Sequence, residues 1–154
     1  MNDARSIQKY LYEHIPLSKA MGVEVVEAAP DRVRLSAPLA PNINHRETVF
    51  GGSASALCIL SAWALIHFRL QSEGFSSRVV IQKNTMTYDK PILSTFEANC
   101  ILDDQAKWEK FITTLSKKRK SRASLYSSLE CGGEKVGSFE GTLVAIIMKE
   151  FSTG

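Results

Sequence analysis

No charged residue occurs between Ser53 and Phe68, and so no carboxylate stands anywhere in that run. A catalytic Asp or Glu is thereby excluded from the segment, whose apolar character on every side marks it as a core helix. Cysteine is scarce. Cys58, Cys100 and Cys131 are odd in number and share no close spacing. That excludes a disulfide framework and a zinc pattern, and leads to the expectation of a reducing, cytoplasmic setting with no metal. Met1 to Lys9 carries Asp3, Arg5 and Lys9 without an apolar stretch, so no secretory leader is expected. The uncharged run is interrupted by Ser53, Ser55, Ser61 and His67 and falls short of the roughly 20 apolar residues of a membrane span, so no membrane partner is expected. Repeats, linkers and low-complexity segments are missing as well. The chain is read as one domain, 1–154, long enough to bury a core without cross-links. A net charge of +3 is too small to argue for nucleic acid.

What is present is a clear order of elements. Residues 3–21 have helical spacing at Ile7, Tyr10, Leu11 and His14, with Asp3 as a cap and a break at Pro16. Val23 to Ala28 reads as a short strand, Pro30-Asp31 as a turn. Val33, Leu35, Ala37 and Leu39 then alternate with Arg32, Arg34 and Ser36, which predicts the second arm of a hairpin. Pro38 and Pro41 close it. After the apolar helix, Glu73-Gly74 is a stop signal. Arg78 to Asp89 and Thr95 to Leu102 read as strands. Asp103 to Lys120 is a charged connection with a helical piece around Trp108, Phe111 and Ile112. Ser121 to Cys131 and Val136 to Met148 are strands joined at Gly132-Gly133, a hairpin signal. A helix hydrophobic all round needs to be enclosed, and a curved antiparallel sheet of five or six strands encloses it. The fold class is therefore α+β, with the sheet rolled around one long central helix.

Into that helix runs the polar loop Asn44-His45-Arg46-Glu47-Thr48-Val49-Phe50, ending at Gly51-Gly52. Two glycines at a helix start let a ligand approach the main chain, leave N–H groups free, and face it with the positive end of the helix dipole. Those amides suit a developing oxyanion. Asn44 and Thr48 either serve the same oxyanion and substrate or simply cap the helix and satisfy turn amides. His45 serves either as a site residue or as a loop stabiliser, while Glu47 reads as a solvated loop residue. His67 reads as a core or interface histidine, and His14 as an ordinary helix-face residue.

The order of elements, with Asn-x-x-x-Thr-x-x-Gly-Gly opening the helix, resembles the hotdog-fold superfamily over nearly the whole chain. Asn44, Thr48, Gly51 and Gly52 match places in the Asn-x-x-Gly-Thr-x-His-Gly-Gly motif of many hotdog acyl-CoA thioesterases. The longer string, Ala40-Pro41-Asn42-Ile43-Asn44-His45 to Phe50-Gly51-Gly52-Ser53, is similar to the "putative thioesterase" family of the YiiD C-terminal domain. The resemblance implies an enzyme acting on acyl thioesters of coenzyme A or acyl carrier protein. Asn44, Thr48, Gly51, Gly52 and His45 form its catalytic set, with Asn42, Phe50 and Ser53 facing substrate. No cofactor is implied beyond the carrier, and a homodimer or dimer of dimers is expected. In two places the chain departs from the thioesterase pattern. Phe50 stands where the motif has His, and the carboxylate carried by the helix in the nearest thioesterase branches would fall at about Ile59. Without that acid, hydrolysis lacks its usual base. Decarboxylation of a malonyl thioester needs none, and YiiD-like proteins include malonyl-acyl-carrier-protein decarboxylases that start fatty acid synthesis. A non-catalytic acyl-carrier binder is the third reading.

Lys117, Lys118, Arg119, Lys120 and Arg122 put five cations within six residues, with Lys107 and Lys110 upstream. They are either a solvated connection or, as substrate-binding residues Lys118, Arg119 and Arg122, a steering patch for an anionic carrier. The patch has no interleaved aromatics, so nucleic acid is not expected.

Overall fold

The computed structural model describes residues 1–148. Helices α1 (Ala4–His14) and α2 (Pro16–Met21) lead into strands β1 (Glu24–Ala29) and β2 (Arg32–Ala37). A short 3-10 turn (Ala40–Asn42) and the polar loop follow, then α3 (Gly51–Ser72). Strands β3 (Ser77–Tyr88) and β4 (Phe96–Ile101), helix α4 (Gln105–Lys118), and strands β5 (Lys120–Cys131) and β6 (Glu134–Ile147) complete the order. The six strands form one antiparallel sheet in the order β1-β2-β4-β5-β6-β3. Register shifts that leave an extra residue in β1, β3 and β6 add local twist, as a sheet bending around a helix requires. The β5–β6 hairpin turns at Gly132 and Gly133, both with positive φ, which is why two glycines stand there.

Helix α3 runs the length of the sheet's concave side. Leu57, Cys58, Leu65, Ile66 and Phe68 are buried there against Val33, Leu35, Phe96, Ala98, Leu125 and Phe139. Its 22 residues outlast the uncharged run by including Arg69. In length and composition α3 would suffice to cross a membrane, but 67 % of its most apolar window is buried within the protein. Past its first turn and before its exposed last residues, α3 is half-buried at Ala56 and along the stripe Ser55, Ile59, Trp63, His67, at four-residue spacing. The stripe's C-terminal half is covered by α1, where Tyr10 packs 6.4 Å from Trp63 and 5.4 Å from His67. Trp63 also ties α3 to the start of β3 by donating Nε1–H to the Val79 carbonyl at 2.8 Å. Beneath the helix a buried hydroxyl pair, Ser61 and Ser127, meets at 2.8 Å, and Ser61 donates back to the Cys58 carbonyl.

The charged connection is more ordered than its composition indicates. Asp104 caps α4 by accepting from the Lys107 N–H, and Trp108, Phe111 and Leu115 bury one face at helical spacing. Trp108 is 1 % exposed. The Arg69 guanidinium lies 4.1 Å from its ring centroid, and its Nε1–H donates to the Glu73 carboxylate at 2.7 Å. Arg69 also donates to the Leu102 carbonyl and to Gln105. These bonds close the C-terminal end of α3 with α4.

Two stability predictions follow from these contacts. Trp108→Ala should cost about 3–5 kcal/mol, while Trp108→Phe, which loses chiefly the bond to Glu73, should cost about 1.5–3 kcal/mol; denaturant titration separates them, and equal losses would show that ring packing does not hold α4. Burial pushes His67 below its ordinary value of 6.5, and His14 adds to the shift. The unfolded chain therefore takes up this proton first, so stability from this group is intact above pH 6.5 and falls as pH drops below it. His67→Phe should flatten that slope in melts between about pH 7.5 and 5, and an unchanged slope would assign it to other groups.

Candidate functional site

The N-terminal end of α3 is open where its C-terminal end is closed. Phe50 takes the N-cap position with no side-chain cap. The Ser53 and Ala54 N–H groups both turn back to the Phe50 carbonyl, at 2.9 and 3.2 Å. Among the described residues the N–H groups of Gly51 and Gly52 donate to nothing. They are the orphan amides of a helix start, at its positive end.

Three strands of contact fix this opening. Asn42 is 2 % exposed and donates both amide hydrogens, to the Met21 and Pro38 carbonyls at 2.9 and 2.8 Å, while its main-chain carbonyl accepts from the Phe50 N–H. Asn42 therefore anchors the loop from beneath and does not face the opening as a surface residue. Asn44 organises the turn above it. Its Oδ1 accepts from the Arg46 and Thr48 N–H groups, and its Nδ2 donates to the Thr48 hydroxyl at 2.8 Å. The turn needs this support because Glu47 sits at φ +63°, an uncommon conformation for a side-chain-bearing residue. One Nδ2 hydrogen of Asn44 stays unassigned within this network. His45 is exposed beside it. The Ile43–Val49 bridge and the Val49 N–H bond to the Ile92 carbonyl join the loop to the segment after β3.

Sequence reasoning missed Tyr88. The last residue of β3, it donates its hydroxyl to the Gly51 carbonyl at 2.8 Å. Burial pushes its phenol up, with nearby Cys58 adding to the shift, so it remains a donor through neutral pH. The only signal available was an aromatic at a strand end, which does not reveal which helix it reaches. A Cβ on Gly51 would lie 3.5 Å from the Tyr88 hydroxyl, in ordinary contact, whereas a Cβ on Gly52 would run into the Phe50 ring. Gly52 is thus what lets Phe50 lie across the first turn. Phe50 is 58 % exposed, and with exposed Ile43, Leu93 and Tyr88 it gives the opening an apolar rim.

Ile59 occupies the half-buried stripe two turns in from the glycines, about 12 Å along the axis. Ser53 is half-buried at the mouth. The two core cysteines provide no nucleophile. Burial pushes the Cys58 and Cys100 thiols up to about 12, with Cys100 adding to the effect at Cys58. Among the described residues no group of His, Cys, Asp and Glu has the arrangement of a metal site.

The basic residues lie elsewhere. Arg122 pairs with Val144, which pairs with Val80, eight residues from Tyr88 along β3. At the rise of an extended strand this is roughly 26 Å from the level of Gly51. Lys118 and Arg122 line a groove of about 760 Å³ between α4 and β5, together with Lys107, Lys110 and Lys120. Arg119 is not among its lining residues. It ends α4 at φ +61°, its N–H bonded to the Leu115 carbonyl. The fold therefore gathers Asn44, His45, Thr48, Phe50, Gly51 and Gly52 at one end of α3 and the cationic cluster at the other.

Comparison with known proteins places this arrangement. Residues 4–147 match the family described as "Putative thioesterase (yiiD_Cterm)". A protein of unknown function from Chlorobaculum tepidum superposes with a TM-score of 0.89 at 25 % identity, over 94 % of both chains. A "putative thioesterase" from Shewanella oneidensis gives 0.79 at 24 % identity, over 93 % of this chain and 96 % of the other. A thioesterase from Haemophilus influenzae gives 0.77 at 12 % identity, over 99 % and 96 %. With its single long helix held in a six-stranded antiparallel sheet the chain has the hotdog fold, and it belongs to the thioesterase family of the YiiD C-terminal domain.

Proposed function

We propose that this protein acts on acyl thioesters of coenzyme A or acyl carrier protein, holding the thioester carbonyl at the N-terminus of α3. The observation that carries the reading is the pair of unpartnered N–H groups at Gly51 and Gly52, set at the positive end of a 22-residue helix inside an apolar rim. In hydrolysis a water oxygen bonds to the carbonyl carbon, the carbonyl oxygen takes the negative charge, and the C–S bond then breaks to release thiol and acid. Each donor aimed at that oxygen is worth roughly 10²–10³ in rate. His45 is the imidazole in reach of the loop surface to take the water's proton, and the unassigned Asn44 amide hydrogen is a third donor for substrate.

A second reading is favoured by one observation. The stripe leading inward from the glycines holds Ile59, and Ser53 to Phe68 contains no carboxylate. A malonyl thioester needs no base. Its carboxylate leaves as carbon dioxide, the bonding electrons move onto the thioester as an enolate with its charge on oxygen, and water returns a proton to carbon. The same two amides stabilise that enolate, and an acid on the stripe would repel the substrate's own carboxylate. On this reading the product is acetyl-acyl-carrier protein. The long edge of β3, paired only with β6 among the described residues, supports assembly of two copies edge to edge into at least a dimer.

Malonyl, acetyl and long-chain thioesters of both carriers, with thiol and carbon dioxide followed separately, test these readings. Thiol release supports the hydrolase, carbon dioxide with an intact acetyl thioester supports the decarboxylase, and binding with neither product leaves an acyl-carrier binder. Asn44→Ala should lower either activity by about 10². Asn44→Asp keeps the two accepted loop bonds but loses the amide's bond to the Thr48 hydroxyl and adds a negative charge beside the open amides, so the loss there should be at least as large. Near-normal turnover in both variants would take Asn44 out of the mechanism. Gly52→Ala, by displacing the exposed Phe50 ring, should shift stability by no more than about 0.5 kcal/mol yet change turnover. Adding Phe50→Ala should restore turnover if the ring was the obstacle.

A further inference from the structure

The groove between α4 and β5 is unused by the site at Gly51 and Gly52. Lys107, Lys110 and Lys118 stand on one face of α4, at spacings of three and eight residues, and Lys120 and Arg122 stand two apart on β5. No acid lines the groove, and none of these five cations forms an ion pair among the described residues. Its volume is about 760 Å³. Glu109, the acid within α4, is turned to Gln105, and Asp104 is held as the helix cap. So many unpaired like charges in one groove repel each other and raise the field in front of it.

From this field and its shape we infer that the groove is a docking surface for an acidic helix of a partner protein, one that carries the acyl thioester. The cargo rests on the thioester reading above; the docking rests on charge and shape alone. Three features favour a protein over a nucleotide. From Lys107 to Lys118 the charges extend along about 16 Å of α4, the length of several helical turns and more than one diphosphate spans. Four of the five are lysines, whose separate point charges suit several anionic groups spread along the groove and not one group held by a bidentate fork. The aromatic residues of the groove offer no stacking face for a base, since Trp108 is 1 % and Phe111 6 % exposed. Thr114 and Ser124 add hydroxyls along the same walls, able to meet carboxylates at the margins.

Binding of an apo acyl carrier protein, an acidic helical protein free of its thiol arm, tests the surface directly by fluorescence anisotropy. The wild-type protein should bind it, more weakly as salt rises. Lys107→Glu, Lys110→Glu and Lys120→Glu combined should weaken binding at least about tenfold at low salt, with the milder Lys→Gln set falling between. The Gln set also serves if charge reversal prevents folding. Undiminished binding by both sets would overturn the docking surface. Displacement of the carrier protein by coenzyme A, or by single-stranded DNA at equal charge, would overturn it as well and assign the groove to phosphates. Charge-dependent carrier binding by a protein that turns over no thioester would defeat the thioester reading and leave the docking intact. Thioester turnover with carrier binding that ignores the substitutions would do the reverse.

Discussion

One constraint shapes this molecule: a helix that is apolar on nearly every side has to be taken out of water along most of its length. A flat sheet covers one side only. Bending the sheet around α3, with bulges in β1, β3 and β6, covers several, and α1 covers part of the remainder through Tyr10. Burial of residues such as Leu57, Leu65, Ile66 and Phe68, each worth about 1.5–3 kcal/mol, is what offsets the ordering of so long a helix. The strand alternation and the helix composition are two sides of that single requirement.

Enclosing the sides leaves the ends, and the two ends are treated differently. At the C-terminus Ser72, Glu73, Arg69 and the Trp108 ring use up polar groups and bring α4 across. At the N-terminus no side chain among the described residues caps the helix, and the amides of Gly51 and Gly52 are left to whatever approaches. An uncapped start costs on the order of 1 kcal/mol relative to a good cap. The loop beneath is heavily braced, by Asn42 to Met21 and Pro38 and by Asn44 to Thr48 and Arg46, so the omission is not a lack of polar residues nearby. The chain builds a firm frame around two open amides. That is what a preorganised anion-binding site requires, because donors fixed before reaction need no reorganisation during it.

Much of this was legible in the residues. Val33, Leu35 and Ala37, and Phe96, Ala98 and Cys100, alternate as they do because one face of each strand meets α3. Gly51-Gly52 announced the helix mouth, and Gly132-Gly133 the hairpin. Other features were hidden for physical reasons. Helix α4 was obscured by its charge: the lysines mask a periodic apolar face of Trp108, Phe111 and Leu115. Asn42 looked like a partner for substrate, but an amide shows from sequence neither its burial nor which carbonyls it meets. Tyr88 and Gly51 lie far apart in the chain and meet because β3 packs back along α3; neither that packing nor the β3–β6–β5 register is encoded in local pattern. The same register sets Arg122 roughly 26 Å from the level of Tyr88, although sequence alone gives no distance between the two clusters.

The distribution of reactive groups narrows the chemistry further. Cys58 and Cys100 are deep in the core with thiols pushed up to about 12, so they remain neutral at any ordinary pH and act as small apolar residues. His67 is stacked on Trp63 at 4.5 Å, well along α3 from the glycines. Ile59 carries no charge at all. Between the glycines and Trp63 the stripe of α3 holds Ser55 and Ile59, without a carboxylate or an imidazole, so the open amides and the loop are the polar groups at this end of the helix. Two fixed donors at the positive end of a helix stabilise charge that moves onto a thioester oxygen, a requirement shared by both proposed reactions.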